Sequence, residues 1–310
     1  MDAFPTNTLL ATDGSADAIL AAGAAVDLSS KTHSELHVVH AWQAIPPYAY
    51  PSMTAEWYVP PYEEAARKLL AGQVKRVEEA GGVVTEAHLV RGRPADAIVD
   101  LGEGMGADLI VVGSRGLGAV GRLLVGSVSE GIVHHAPCAV LVVRGEQGSW
   151  PPERVIVADD GSEPAKMAGG LGVLFARLFG TEAVLVRSYE NPQEPIGGWS
   201  AQDRRELDEA LLREERDLEE WAKELEAVEG KRPETRLVET EPTLALLLVA
   251  EEKEEEKTLI VVGSRGLGAA KRTMLGSVST KVLRIARGPV LVCPHVNEPE
   301  DEVAGDIDEP

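Results

Sequence analysis

Short apolar segments alternate with longer segments of helical character along most of the chain. Leu9–Ala11, Leu36–His40 and Leu109–Val112 are apolar runs of the length expected for buried strands. Ala16–Leu28 is rich in alanine and Glu63–Ala80 has an apolar face at helical spacing, so both segments predict helices. Strands that alternate with helices predict an α/β fold, in which a parallel sheet carries helices on both faces.

The rest of the chain continues this alternation. The pattern predicts strands over Val83–Val90 and Ala139–Val143, and helices from Pro94 to about Leu101 and from about Val128 onward. Closely spaced prolines and tyrosines predict a loop over Pro46–Pro61, because proline lacks the amide hydrogen that regular structure uses. The second half repeats this order, and its longest predicted helix covers Asp203–Val228.

The sequence contains an internal repeat. The string VVGSRGLGA occurs at Val111–Ala119 and, 150 residues later, at Val261–Ala269. The string GSVS follows at the same distance in both places, at Gly126–Ser129 and Gly276–Ser279. A period of this length is too long for one unit of a solenoid, so it indicates a duplicated domain. We predict one domain in residues 1–146, a second in residues 152–297, and an acidic, disordered tail in residues 298–310.

Composition and charge narrow the classes of function. The chain has 30 basic and 51 acidic residues and a net charge of −21, which argues against a surface for nucleic acid or anionic membranes. No apolar run has the length of a membrane span, and the first residues lack the features of a signal peptide. Two cysteines are too few for a disulfide framework. These features predict a soluble, cytoplasmic protein.

A glycine-rich segment follows the fourth strand of each half. In the first half Gly113, Gly116, Gly126 and Ser127 have the spacing Gly-2x-Gly-9x-Gly-Ser. Glycine permits positive φ angles and close approach of a ligand, and the N-terminus of the following helix attracts phosphate. The spacing differs from that of the Walker A and dinucleotide-binding loops. A tight turn without a ligand is the alternative, but two copies of the segment favour a nucleotide site.

These residues resemble the universal stress protein family. Asp13-Gly14-Ser15 after the first strand and the glycine segment after the fourth strand match the family pattern, and the second half matches it again. The chain therefore resembles a tandem-domain member. The resemblance implies two repeated, open parallel five-stranded sheets in the order 3-2-1-4-5, with helices on both faces in a Rossmann-like arrangement. Members with this glycine pattern typically bind ATP, so the resemblance also implies ATP, with Mg²⁺, as the ligand.

The resemblance assigns site residues in both halves. Asp13 and Asp160 would contact the nucleotide near the ribose and phosphates, or through Mg²⁺. The backbones of Ala41 and Ser188 would meet the edge of the adenine. The phosphates would lie against the glycines and serines of the two segments: Gly113, Gly116, Gly126, Ser127, Ser129, Gly263, Gly266, Gly276, Ser277 and Ser279.

Two arginines inside the glycine segments have two interpretations. Arg115 and Arg265 either neutralise phosphate charge or are solvated on the surface. A further pair of differences predicts that the two sites are unequal. Arg91-Gly92-Arg93 stands before a proline in the first half, where the second half has Glu239-Thr240-Glu241. Because this segment reaches the rim of the site, the first half is predicted to bind ATP more tightly.

The sequence favours a binding protein, an ATP-responsive stress regulator, over an efficient enzyme. A slow ATPase or a self-phosphorylating enzyme is the second hypothesis, and a nucleotide-free scaffold is the third. Adjacent His134 and His135 face different directions on a helix, and Cys138 and Cys293 are not equivalent in the repeat. We therefore predict no metal or redox site.

The resemblance also implies how the halves assemble. Family domains commonly pair through the fifth strand, which predicts that Ala139–Val143 pairs with Pro289–Cys293. Such pairing would cover two apolar sheet edges that otherwise invite aggregation. The expected result is an internal pseudo-dimer. A further homodimer is left open, and the sequence does not identify the protein partner.

Overall fold

A computed structural model describes residues 4–43, 55–116, 125–145, 149–192, 198–253, 257–264 and 275–294, with the backbone alone for 55–60. The first half contains strands β1 (Asn7–Ala11), β2 (Glu35–Trp42), β3 (Val84–Arg91), β4 (Leu109–Gly113) and β5 (Ala139–Val143), and helices α1 (Ala16–Thr32), α2 (Ala55–Glu79), α3 (Pro94–Gly104) and α4 (Ser127–His135). The second half contains strands β6 (Arg154–Asp159), β7 (Glu182–Tyr189), β8 (Glu234–Glu239), β9 (Thr258–Gly263) and β10 (Val290–Cys293), and helices α5 (Glu163–Phe179), α6 (Ala201–Glu229), α7 (Pro242–Glu251) and α8 (Ser277–Ile285).

The predicted α/β class and strand order are confirmed. The first half has the order β3-β2-β1-β4-β5 and the second half has the equivalent order β8-β7-β6-β9-β10. Neighbouring strands within each half are parallel. The order reverses beside the first strand of each half, and this is the place where open parallel sheets bind ligands.

The two five-stranded units join into one sheet of ten strands. Strands β5 and β10 pair in the antiparallel direction, which is the pairing that the sequence predicts. Leu141 lies opposite Leu291, its equivalent in the repeat, and Val142 lies opposite Val290. Because equivalent residues face each other, the join has the register of a local two-fold axis.

One arginine of the first half reaches across this join from a position where the second half has no equivalent side chain. The buried Arg144 donates hydrogen bonds to the carbonyl oxygens of Ala286, at 2.9 Å, and of Leu283. Burial lowers the pKa of Arg144 to about 10. The equivalent residue of the second half is Pro294, whose side chain carries no donor. The two halves therefore contribute unequally to their shared interface.

Each face of the sheet is covered by four of the described helices. Helices α1, α2, α5 and α6 contribute buried residues to one hydrophobic core, and α3, α4, α7 and α8 contribute to the other. Successive residues of a strand point to opposite faces, so Leu10 belongs to the first core and Leu9 to the second. The apolar strands of the sequence pattern are thus buried on both faces.

The structure corrects one predicted loop. The backbone of α2 begins at Ala55 and is 25 residues long, so it includes the last part of the segment Pro46–Pro61. Prolines near the start of a long helix remove only a few of its hydrogen bonds, which the following turns compensate. Residues 44–54 and the predicted tail 298–310 lie outside the described residues.

Candidate functional site

A cavity of about 470 Å³ opens at the carboxyl end of the first-half sheet. It lies where the neighbouring strands β1 and β4 end, beside the paired residues Ala11 and Val112. A volume of this size is typical of pockets for small organic ligands. The cavity is lined by every first-half residue that the sequence proposes for the site: Asp13, Ala41, Gly113, Arg115, Gly116, Gly126, Ser127 and Ser129.

Three helix N-termini surround this cavity. Ser15 precedes α1 and accepts a hydrogen bond from the amide of Ala18, at 3.3 Å, while Pro94 opens α3. Helix α4 differs, because Gly126 occupies its N-cap position and no side chain caps it. The first amide groups of a helix have no partner within the helix, and its dipole is positive there. The end of α4 therefore presents donors suited to an anion.

The ends of the glycine segment are fixed by hydrogen bonds. The amide of Gly126 donates to the carbonyl oxygen of Ser114 at 2.7 Å. The buried Ser129 hydroxyl donates to the carbonyl oxygen of Gly113, also at 2.7 Å. A hydroxyl has one proton to donate, so this serine positions the segment instead of donating to a phosphate. The hydroxyl of Ser279 makes the same bond to Gly263 in the second half, at 2.6 Å.

The predicted role of positive φ angles in these glycines is wrong. Gly113, Gly116 and Gly126 are absent from the described residues with positive φ, whereas Gly14, directly after Asp13, has a φ of 79°. The constraint on the segment is steric. A Cβ on Gly113 would lie 2.6 Å from the backbone carbon of Asp17 in α1, which is too close for any other residue.

Arg115 lines the cavity and is also paired within the protein. Its Nε lies 3.1 Å from Oδ2 of the buried Asp17, and the Ser114 hydroxyl donates to the same oxygen at 2.6 Å. The guanidinium is therefore half-buried and paired within the protein. Asp17 also ties α1 to the glycine segment, and the Ser15 hydroxyl adds a bond to the carbonyl oxygen of Arg115 at 3.0 Å.

Asp13 lies half-buried on the rim of the cavity, after the end of β1. Its Oδ1 accepts a hydrogen bond from the amide of Ser15 at 3.0 Å. Its other oxygen is directed at Gly116, because a Cβ built on that glycine would collide with Oδ2 of Asp13. The structure thus brings the aspartate and the glycine segment together, as predicted from neighbouring strands.

The second half fixes its glycine segment in the same way. The amide of Gly276 donates to the carbonyl oxygen of Ser264 at 2.7 Å, and Gly276 is the uncapped start of α8. The half-buried Ser188 is the second-last residue of β7, and Ser277 is exposed at the start of α8. Asp160 is exposed and accepts a hydrogen bond from the amide of Ser162 at 3.1 Å. Two predicted residues, Arg265 and Gly266, lie outside the described residues.

One feature of the second half was missed in the sequence. Asp159 and Arg187, at the ends of β6 and β7, form a buried ion pair, with Nε and Oδ2 separated by 2.6 Å. Arg187 also contacts Glu214 of α6 at 2.7 Å. The repeat places Thr12 and His40 at the positions of Asp159 and Arg187. The sequence did contain a signal for this ion pair, because residues of opposite charge stand near the carboxyl ends of two neighbouring strands.

The remaining candidates are structural. Burial raises the pKa of the Cys138 thiol to about 12 and raises the pKa of Cys293 as well, so both thiols are protonated and unreactive at neutral pH. The rings of His134 and His135 are 6.3 Å apart, and His135 is bonded to the carbonyl oxygen of Gly131. Within the described ranges, no helix is both long and apolar enough to cross a membrane.

Comparison with known families identifies the fold and the repeat together. The model of the universal stress protein family matches residues 6–144 and matches again at residues 152–294. The chain belongs to the universal stress protein family. It has two family domains in tandem, and each match includes the end of the first strand and the glycine segment.

Individual relatives agree with this assignment. A universal stress protein of Mycobacterium tuberculosis is 30% identical over 269 residues, which cover 83% of this chain and 85% of the relative. One from Thermus aquaticus is 44% identical over 140 residues, 44% of this chain and 96% of the relative. The crystal structure of a universal stress protein from Archaeoglobus fulgidus has the same fold, with a TM-score of 0.68, 23% identity, and coverage of 94% of this chain and 99% of that one.

Proposed function

We propose that this universal stress protein is an ATP-binding regulatory protein. The observation that carries the proposal is the first-half cavity, which combines an aspartate, a glycine segment and the uncapped N-terminus of α4 in about 470 Å³. Charged phosphates suit the donor-rich helix end, and the apolar wall formed by Ile98, Val112 and Val125 suits a base and sugar.

We infer the roles of the lining residues from the family pattern, and their positions around the cavity support these roles. The backbone of Ala41, at the end of β2, meets the adenine. Gly116, Gly126 and Ser127 lie against the phosphates, while Gly113 and Ser129 hold the segment in place. Asp13 contacts the ribose and phosphates or holds Mg²⁺, which usually takes one or two carboxylates together with substrate phosphates. Bound Mg²⁺ would neutralise phosphate charge next to Asp13.

We propose equivalent roles in the second half for Asp160, Ser188, Gly263, Gly276, Ser277 and Ser279, with Arg265 and Gly266 completing that segment. The domains are assigned to residues 1–146 and 152–297. The antiparallel join of β5 and β10 supports an internal pseudo-dimer, and homodimerisation would have to use another surface. The buried, free cysteines suit a reducing cytoplasm.

Regulation is favoured over catalysis because the described residues that line the first cavity include one carboxylate, that of Asp13. The proposal already uses this carboxylate to hold the nucleotide or its Mg²⁺. A general base has to lie within hydrogen-bond reach of the attacking group, and Asp17 is instead paired with Arg115 and Ser114 outside the cavity lining. We expect the bound nucleotide to act as a signal that a protein partner reads, with turnover slow or absent.

The test is to identify the nucleotide that the full-length protein retains. The protein is purified without added nucleotide and denatured, and the released ligand is measured by mass spectrometry. ATP at up to two molecules per chain supports the proposal. If the protein retains no nucleotide and also does not bind added Mg²⁺–ATP, the proposal is wrong and the nucleotide-free scaffold becomes the favoured hypothesis. Rapid conversion of ATP to ADP, or phosphate transferred to a serine, would make the protein an enzyme.

A further inference from the structure

Two histidines and a glutamate come together at the outer edge of the first-half sheet, away from the cavity. His37 lies on β2, and Glu86 and His88 lie on β3, which is the last strand at one end of the sheet. The register places Glu86 beside His37, and alternate residues of a strand share a face. Ligand atoms of the three side chains lie within 4.8 Å of one another.

The distances between these groups fit coordination of one metal ion. Nδ1 of His37 is 3.1 Å from Nε2 of His88, which is 3.9 Å from Oε2 of Glu86. Two nitrogens on one tetrahedral zinc ion are about 3.3 Å apart, because each Zn–N bond is about 2.0–2.1 Å long. In the metal-free chain this distance fits a hydrogen bond in which one imidazole donates its N–H to the other. A cation can replace that proton after a small movement of the rings.

The second nitrogen of His37 supports this arrangement. Nε2 is buried without a hydrogen-bond partner among the described residues, and it lies 3.6 Å from Oε2 of Glu35. Histidines that bind metals usually donate the hydrogen of their second nitrogen to a carboxylate, which fixes the tautomer. Coordination through Nδ1 of His37 would leave a proton on Nε2 that points toward Glu35.

The second half shows that the sheet edge does not need these histidines. The repeat places Val184 at the position of His37 and Arg236 at the position of His88, while Glu234 matches Glu86. Arg236 forms an ion pair with Glu234 at 2.6 Å. The same edge therefore folds with a valine and an ion pair, and the histidine pair is an additional property of the first half.

We propose that His37, Glu86 and His88 bind a divalent cation of the zinc class, and that Glu35 orients His37. Imidazole and carboxylate ligands together suit Zn²⁺ and its neighbours among the transition metals. The side chain of Glu86 is 66% exposed, so a cation can enter from solvent and water can complete its coordination. The bound ion would hold the edge strand β3 to β2.

The test is a titration of the metal-free, full-length protein with Zn²⁺ in a calorimeter, using protein without a histidine tag. His88→Arg and His37→Val install the residues that the second half carries at this edge, so the fold should survive. We expect one Zn²⁺ per chain in the wild type. His88→Arg should weaken binding about a hundredfold or more, since loss of even an outer partner of a ligand costs about 10–100-fold.

His135→Gln is the matched control, because His135 lies outside the cluster, and it should bind Zn²⁺ like the wild type. Co²⁺ gives a second readout, since its visible absorption intensifies in a four-coordinate site and should do so only when His88 is present. Absence of zinc binding in the wild type would overturn the proposal. Equal affinity in the wild type and in a folded His88→Arg variant would overturn it as well.

Discussion

The two halves have the same hydrogen bonds at their glycine segments but different polar groups beside them. Ser129 and Ser279 each hold the carbonyl oxygen at the end of the fourth strand, at 2.7 and 2.6 Å. One strand away, the first half has Thr12, whose hydroxyl bonds Gln73 at 3.3 Å. The second half has the buried ion pair of Asp159 and Arg187.

The comparison distinguishes residues that fix the position of the glycine segment from residues that determine the charge beside it. The shared bonds fix where the segment leaves the sheet and where the next helix begins. The differing residues change the charge beside the same fold: Asp17, which pairs with Arg115, stands where the second half has Pro164. The repeat thus lets each half serve as the control for the other.

The largest expected effect comes from breaking the ion pair of the second half. Arg187→Met leaves Asp159 buried and charged without its partner, which should lower the free energy of unfolding by about 3–5 kcal/mol. The equivalent change in the first half, His40→Met, removes a hydrogen bond to the carbonyl oxygen of Thr12 and should cost about 1 kcal/mol. Urea unfolding of both variants measures the difference. Equal losses would mean that the pair is not buried as described.

A smaller effect separates the two kinds of glycine in one segment. Gly113→Ala puts a methyl group against the α1 backbone and should cost about 1–3 kcal/mol of unfolding free energy. Among the described residues, the methyl group of Gly116→Ala would contact the side chain of Asp13 alone. That side chain can rotate away, so stability should change little while ATP affinity falls. Thermal unfolding and ATP titration of both variants test this. A stable Gly113→Ala protein would refute the steric explanation.

The smallest effect concerns the charges at the rim. Arg91 and Arg93 are exposed before Pro94, which lines the cavity. Arg91→Glu combined with Arg93→Glu gives the first half the charges of the second, and should weaken ATP binding about tenfold, since each exposed pair contributes at most about 1 kcal/mol. Added salt should reduce this difference in ATP affinity, because it screens the interaction between exposed charges. The measurement is ATP titration of two proteins, with and without the arginine changes. Both also carry Gly276→Asp to block the second site, so that the titration measures binding at the first site.

Arg67→Glu combined with Arg76→Glu is the control for that experiment. Both arginines are exposed on α2 and do not line the cavity, and the change in net charge is the same. A similar loss of affinity in this control would show that net charge, rather than the rim, determines binding.

Periodicity predicted the elements well because both faces of the sheet are buried. The strand Ala139–Val143 has the predicted bounds, and all five of its residues are buried. The strand order came from the family resemblance instead, because apolar spacing does not specify which strands are neighbours. The loop predicted over Pro46–Pro61 was wrong from Ala55 onward, because the length of α2 outweighed the local effect of proline there.

The site was only partly predictable, because its key contacts join residues far apart in the sequence. Arg115 and Asp17 are 98 positions apart, and His37 and His88 are 51 apart. No short motif links such pairs, and they are brought together by strand order. The Gly-2x-Gly-9x-Gly-Ser spacing was visible because its residues follow one another within a single stretch of sequence, from the end of β4 to the start of α4.

The most direct test of the account is ATP titration of the full-length wild type, Gly126→Asp and Gly276→Asp. Aspartate is a favourable N-cap, so Gly126→Asp should keep the thermal stability of the protein while placing a negative charge where the phosphates bind. We predict that Gly126→Asp abolishes the tighter ATP site and that Gly276→Asp retains it. A folded Gly126→Asp protein that still binds ATP at the wild-type tighter affinity would contradict the account.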